Sequence, residues 1–120
     1  MDWVANDYPT REICFVDLNP IKGREQAGQR PVLVLSIDEI NSLPLVITVI
    51  VGTKGENISR DYPTNVRVLP EESGLPAETV FLCFQIRSLD PSRFPEKPVG
   101  MVSEEVLKKI ERAVRYCLGL

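Results

Sequence analysis

The feature that most constrains the fold is a series of short apolar runs, rich in β-branched and aromatic residues and separated by turn residues. We predict strands over residues 13–18, 31–37, 45–51, 64–69 and 79–87, with a short last strand over 99–102. The fourth run alternates apolar and polar residues, as a half-buried strand does. Runs this short bury apolar surface only by pairing, so the pattern predicts a bent antiparallel sheet or a small barrel.

One helix is predicted at the C-terminal end of the chain. Ser103 is a good N-cap, and Gly119 lies beyond the last helical residue. An apolar stripe at helical spacing lies between them: Val106, Ile110, Ala113, Val114 and Cys117. The predicted fold class is therefore mainly β with a C-terminal α-helix (α+β). A length of 120 residues suits a single domain, which we assign to residues 1–120.

The connections are predicted to be polar and exposed. Residues 38–44 form a turn or a short helical connection, and residues 70–76 are acidic and turn-rich. Gly52-Thr53-Lys54-Gly55 is predicted to end the third strand, which leaves residues 54–63 as a loop. The most distinctive connection is the polar loop at 17–31. Its functional groups are Lys22, Arg24, Arg30, Glu25, Gln26 and Gln29. They suit an anion site, but a solvated hairpin loop explains them equally well.

Composition excludes some chemistry. The chain has no histidine, which rules out His-based acid–base catalysis and the usual zinc sites. The three cysteines, Cys14, Cys83 and Cys117, lie far apart in apolar runs and are predicted to be buried free thiols. The net charge of −3 means that nucleic-acid binding would require a local basic patch. The sequence shows neither a membrane-length apolar run nor a signal peptide, so we expect a cytoplasmic protein without membrane contact.

Two stretches of the sequence resemble a known family. Asp17-Leu18-Asn19-Pro20, followed by Gly23-x-Glu25-Gln26-x-Gly28-x-Arg30-Pro31-Val32-Leu33-Val34, resembles the first motif of the MazF/PemK family, toxin endoribonucleases of bacterial toxin–antitoxin modules. Residues 79–90 are similar to the family's later strand and turn, and Pro63-Thr64-Asn65-Val66 fits between them. The likeness runs from about Ile13 to the C-terminus. It implies an SH3-like small barrel of the MazF/PemK/CcdB type, usually a symmetric homodimer.

The resemblance implies catalysis by an arginine and a threonine. The arginine falls on Arg30, because Gly28-x-Arg30-Pro31 keeps the spacing of the motif. The threonine falls on Thr53, although Gly52-Thr53-Lys54-Gly55 departs from the more usual apolar-Thr-Ser ending. Thr48 is the alternative, but a threonine in the middle of an apolar strand is more often ordinary β-branched filler.

A wider set of residues is predicted to bind RNA: Lys22, Arg24, Glu25, Gln26, Lys54, Gln85 and Arg87. Gln26 suits base edges because an amide both donates and accepts hydrogen bonds. Glu25 is a candidate general base or a partner that orients Arg30, and a solvated loop carboxylate is an equally good interpretation. Phe84 stands where many relatives carry a carboxylate. We interpret it as a core residue in preference to a base-stacking one.

The implied reaction is cleavage of single-stranded RNA by its own 2′-hydroxyl, which gives a 2′,3′-cyclic phosphate and a 5′-hydroxyl. We expect it to need no metal and no cofactor. Arg30 would stabilise charge in the transition state and Thr53 would align the phosphate. Two other functions stay open: a non-hydrolytic toxin of the same fold that poisons a topoisomerase, as gyrase poisons do, and an inactive relative that only binds an antitoxin.

Partners also follow from the resemblance. We expect a homodimer in which Lys22, Arg24, Arg30, Lys54 and Arg60 of both copies line a basic groove. A cognate antitoxin with an acidic, disordered tail would bind there and become ordered.

Overall fold

The computed structural model describes residues 9–20, 22–24, 28–95 and 97–120. Within these ranges the strands are β1 (Glu12–Asp17), β2 (Gln29–Val34), β3 (Ile47–Lys54), β4 (Asn65–Val68), β5 (Thr79–Leu89) and β6 (Gly100–Met101). The helices are α1 (Asp38–Asn41), α2 (Pro70–Ser73) and α3 (Glu104–Leu118). Two 3₁₀ turns cover Gly55–Asn57 and Pro91–Arg93.

The strands form one antiparallel sheet in the order β4-β5-β3-β2-β1-β6. The central strand, β3, pairs with β2 on one edge and with β5 on the other. The predicted fold class, mainly β with a C-terminal helix, is confirmed, and the sheet has the form of a half-barrel.

Apolar side chains fill both faces of the sheet. On one face Ile13, Leu33 and Ile50 pack with Phe81 and the buried side of α3. On the other face lies a second buried cluster: Cys14, Val16, Leu18, Val32, Val34, Ile47, Val49, Val51, Leu89 and Phe94. β2 and β3 contribute to both clusters, which explains why their sequences read as nearly continuous apolar runs.

The C-terminal helix follows its sequence pattern. The Ser103 hydroxyl accepts a hydrogen bond from the Val106 N–H at 3.2 Å, as an N-cap should. Gly119 ends the helix in the left-handed conformation, with φ at 70°. Ile110 and Ala113 are buried together with Val106. The predicted bounds and apolar stripe of α3 are confirmed.

The predicted end of the third strand is wrong. β3 continues through Gly52 to Lys54. Gly52 does not mark a turn, because a Cβ there would lie 3.1 Å from both the Phe81 ring and the Pro31 carbonyl oxygen. The glycine therefore allows the neighbouring groups to approach closely. The acidic stretch at 70–76 also contains a short helix, α2, where only a turn was predicted.

Two of the cysteines are fully enclosed. Cys14 and Cys83 are buried free thiols, and Cys117 on α3 is partly buried and also free. Burial raises the pKa of the Cys14 thiol to about 11, with a smaller contribution from Glu12, and raises that of Cys83 to about 12. Burial also raises the pKa of Cys117. In the described part of the chain, no helix is long and apolar enough to cross a bilayer.

We therefore expect a graded thiol reactivity. At pH 8, below the raised pKa values, Cys14 and Cys83 stay protonated and inaccessible, so only Cys117 should react with a disulfide reagent in the native protein. Unfolding in urea should release all three thiols. Titration with a chromogenic disulfide under both conditions measures this. Rapid reaction of three thiols in the native protein would contradict the burial described here.

Candidate active site

The two predicted catalytic side chains lie together at the end of the sheet where β2 begins and β3 ends. Val32 on β2 pairs with Val51 on β3. Continuing this antiparallel register by two residues places Arg30 opposite Thr53 on the same face. The Arg30 Nη1 donates to the Thr53 Oγ1 at 3.5 Å. The structure therefore brings these two residues into contact.

The backbone leading to Arg30 is fixed from the β1 side. Arg30 pairs with Val16, and the ladder of β1 and β2 continues to Asp17. The Leu18 N–H then donates to the Gly28 carbonyl at 3.0 Å, which closes the base of the polar loop two residues before Arg30. β2 pairs with β3 only from Val32 onward, because Pro31 has no N–H to donate to the ladder.

The Thr53 hydroxyl has a second partner that the sequence did not suggest. Thr53 is 3 % exposed, and the Asn57 Nδ2 donates to its Oγ1 at 3.0 Å. A hydroxyl has two lone pairs and one hydrogen. Because Asn57 and Arg30 both donate to this oxygen, its hydrogen is directed toward another acceptor. Asn57 lies in a polar loop without periodicity, so no pattern in the sequence singled it out.

Thr48, the alternative threonine, lies elsewhere. Side chains alternate along β3, so Thr48 is on the face opposite to Thr53. Its hydroxyl contacts the Ser88 hydroxyl of β5 at 2.9 Å. The geometry therefore favours Thr53 over Thr48 as the partner of Arg30.

A cleft of about 600 Å³ lies next to Asn57, the neighbour of the Arg30–Thr53 pair. Asn57 lines this main cleft and also contacts Thr53, so one residue links the cleft to the pair. Its other lining residues combine cations, aromatic rings and amides: Arg24, Ile58, Ser59, Arg60, Tyr62, Asn65, Leu82, Phe84 and Gln85. Cations beside exposed aromatic rings are typical of surfaces that bind single-stranded nucleic acid.

Our interpretation of Phe84 as a core residue is wrong. Its side chain is 54 % exposed and lines the main cleft. Ile50 of β3 pairs with Ile86, whereas the next residue, Val51, pairs with Leu82, so residues 83–85 of β5 form a bulge. A bulge interrupts the pairing and re-aims its side chains. Phe84 therefore faces the cleft, while Cys83 stays buried.

Gln85 and Arg87 have different surroundings. The Gln85 Nε2 donates to the Arg24 carbonyl at 3.5 Å across the main cleft, which brings two predicted RNA-binding residues together. The Arg87 Nη1 instead donates to the Leu18 carbonyl at 3.1 Å. Arg93 supports the same segment through the Asp17 and Asn19 carbonyls at 3.2 and 3.1 Å. Arg87 and Arg93 thus hold the start of the polar loop.

The remaining predicted residues either do not line the main cleft or are not among the described residues. Lys54 borders a smaller cavity of about 110 Å³ that Arg30 also lines. Lys22 is exposed on the polar loop. Glu25 and Gln26 lie outside the described residues. Among the residues that the structure describes, no group of three His, Cys, Asp or Glu side chains is placed to hold a metal ion.

Comparison with known proteins identifies the family. Residues 10–118 match the model of the PemK-like, MazF-like toxins of type II toxin–antitoxin systems. The chain belongs to this family. A curated relative, "Endoribonuclease MazF" of Staphylococcus epidermidis, is 33 % identical over 109 residues, which cover 91 % of this chain and 89 % of the relative.

Solved structures of family members share the fold. MazF from Deinococcus radiodurans is 26 % identical and superimposes with a TM-score of 0.78, covering 99 % of this chain and 100 % of that one. A MazE–MazF structure from the same organism shows 27 % identity and a TM-score of 0.72, with 99 % of each chain covered. The resemblance seen in the sequence is confirmed.

Proposed function

We propose that this chain is a toxin endoribonuclease that cleaves single-stranded RNA at the Arg30–Thr53 pair. The observation that carries the proposal is the 3.5 Å contact between the Arg30 Nη1 and the Thr53 Oγ1. Asn57 connects this pair to a cleft lined by cations and aromatic rings. Membership of the MazF-like family and the endoribonuclease name of the Staphylococcus relative support the same activity.

RNA supplies the nucleophile for this reaction. The 2′-hydroxyl gives up its proton and attacks the adjacent phosphorus, the P–O5′ bond breaks, and the departing O5′ takes up a proton from water, so the products are a 2′,3′-cyclic phosphate and a 5′-hydroxyl. The transition state carries more negative charge on its non-bridging oxygens than the ground state does. Arg30, near the start of β2, stabilises that charge with its guanidinium. A preorganised donor stabilises the transition state more than the ground state.

Thr53 acts as a second, directed donor. Asn57 and Arg30 both donate to its oxygen, so the hydroxyl hydrogen is directed to a phosphate oxygen held against Arg30. Two donors on one phosphate restrict its rotation and align the 2′-hydroxyl with the P–O5′ bond. Arginine stays protonated and is a poor base. Glu25 remains the predicted candidate for proton abstraction.

The main cleft would hold the RNA strand on either side of the scissile phosphate. Tyr62 and Phe84, which are 52 % and 54 % exposed, offer faces on which bases stack. Arg24 and Arg60 line the same cleft and suit neighbouring phosphates. The amide of Gln85 can read a base edge. Although the net charge is −3, these two arginines provide positive charge locally.

We further propose a homodimer that an antitoxin neutralises in the cytoplasm. The described chain exposes five large apolar side chains on the connection between β2 and β3: Ile37, Ile40, Leu43, Leu45 and Val46. Several large apolar side chains exposed on one connection are typical of a protein interface. The family name and the MazE–MazF structure support an antitoxin partner. Its acidic tail would compete with RNA for the cations of the main cleft.

The reaction is expected to proceed without a metal ion. A defined single-stranded RNA incubated with the protein in EDTA should be cleaved, and the fragments should accept radiolabelled phosphate at their 5′ ends without phosphatase treatment. Loss of cleavage in EDTA and recovery with magnesium would contradict the mechanism. An absence of cleavage under all conditions would favour the non-hydrolytic or inactive alternatives.

Substitutions on β3 separate the two threonines. Arg30→Ala and Thr53→Val should each lower the single-turnover cleavage rate by ~10²–10³, because each removes a donor to the transition state. Thr48→Val makes the same change on the opposite face of the same strand and is the matched control. It should keep the rate within about threefold of the wild type. A larger loss for Thr48→Val than for Thr53→Val would exclude the assigned pair.

A further inference from the structure

Arg67 on β4 holds the segment of residues 55–61 against the sheet. Its Nη2 and Nε donate to the Asp61 carboxylate at 2.8 and 3.2 Å, and its Nη1 donates to the Glu78 carboxylate. The same guanidinium reaches two backbone carbonyls, those of Gly55 at 3.4 Å and Ile58 at 3.2 Å. We call this set of contacts the Arg67 clamp.

The clamp depends on the shape of the side chain as well as on its charge. A guanidinium presents five N–H donors in a rigid planar fork, whereas a lysine ammonium is a compact point charge. Hydrogen bonds to Asp61 and Glu78 raise the pKa of Arg67 above its usual value, so the cation persists at all relevant pH values. The Gly55 N–H also donates to the Glu78 carbonyl at 2.8 Å, which ties the same end of the segment to the residue that precedes β5.

The two carbonyls held by Arg67 flank the residue that contacts Thr53. Gly55 and Ile58 enclose Asn57, whose Nδ2 donates to the Thr53 Oγ1 at 3.0 Å. The segment therefore cannot shift without changing the hydrogen bond that occupies one lone pair of the Thr53 hydroxyl. A path of direct contacts runs from Arg67 through the 55–58 backbone and Asn57 to Thr53.

We infer that Arg67 and Asn57 are positioning residues that orient the Thr53 hydroxyl toward the scissile phosphate, an inference that rests on the proposed function. Asn57 directs the hydroxyl by occupying a lone pair, and Arg67 keeps Asn57 in place. Neither residue appeared in the predicted site. In the sequence Arg67 is simply a polar position of the alternating strand at 64–69.

Stability alone does not explain the clamp. The side chains of Arg67, Asp61 and Glu78 are 29 %, 72 % and 35 % exposed. The Asp61 carboxylate is well solvated, so its pair with Arg67 contributes little to folding. Asn57 is also exposed, so water can solvate its amide in the unfolded chain and the folded one alike. The effect of both residues is therefore expected mainly in the geometry of Thr53.

A double-mutant cycle tests the path of contacts. Asn57→Ala should lower the single-turnover rate at saturating RNA about tenfold, with a smaller change in KM, because a misdirected hydroxyl impairs the chemical step. In the Thr53→Val background the same substitution should cause no further loss. Arg67→Gln should lower the rate about five- to tenfold, and less than twofold when Asn57 is already alanine. Losses that multiply independently would overturn the inference.

Two further variants separate positioning from charge and from folding. Arg67→Lys keeps the charge but not the fork, so it should behave like Arg67→Gln. Full activity of Arg67→Lys would contradict the clamp. Arg112→Gln removes an exposed cation of α3 that lines a groove with Arg67 and should leave the rate unchanged. Thermal unfolding of each variant verifies that it folds.

Hydrogen exchange provides a readout that does not require activity. In Arg67→Gln the backbone amides of residues 55–61 should exchange faster than in the wild type, while Arg112→Gln should leave them unchanged. Unchanged protection of this segment in Arg67→Gln would overturn the inference. A wild-type protein that shows the expected protection pattern but cleaves no RNA would count against the proposed function and leave the clamp standing.

Discussion

The register between β2 and β3 is the constraint on which the rest of this protein depends. Side chains alternate between the two faces of a strand, so a slip by one residue would move Arg30 to the face opposite Thr53. Such a slip would also exchange the apolar residues of the two clusters that pack on the sheet. Because both faces of these strands are buried, the packing of the core fixes the geometry of the candidate active site.

Irregular features complete the site on this regular frame. The bulge at residues 83–85 aims Phe84 into the main cleft, and the Arg67 clamp holds the segment that carries Asn57. Charge is also distributed unevenly over the chain. Arg24 and Arg60 line the cleft of a chain whose net charge is −3, so they supply a local attraction for a phosphate backbone that the net charge does not.

The sequence predicted the parts of the fold that follow from periodicity. Alternation and capping residues indicated the strands and α3, whereas the Arg30–Thr53 pair was implied by the family resemblance. The errors arose where a close contact decides the structure. Gly52 looks like a breaker but accommodates the Phe81 ring, and Phe84 looks like core because a bulge leaves no periodic signal. The roles of Arg67 and Asn57 depend on contacts with residues that are distant in the sequence or that lie in a polar loop. No sequence pattern indicates such contacts.

The most direct test of this account is a structure of the protein bound to an RNA oligonucleotide with a 2′-deoxy sugar at the cleavage position, which removes the nucleophile but keeps the phosphate. We expect the scissile phosphate within hydrogen-bond distance of both the Arg30 guanidinium and the Thr53 hydroxyl, with flanking bases on Tyr62 and Phe84. A scissile phosphate bound elsewhere, for example in the groove of Lys109 and Arg112 between α3 and β4, would contradict it.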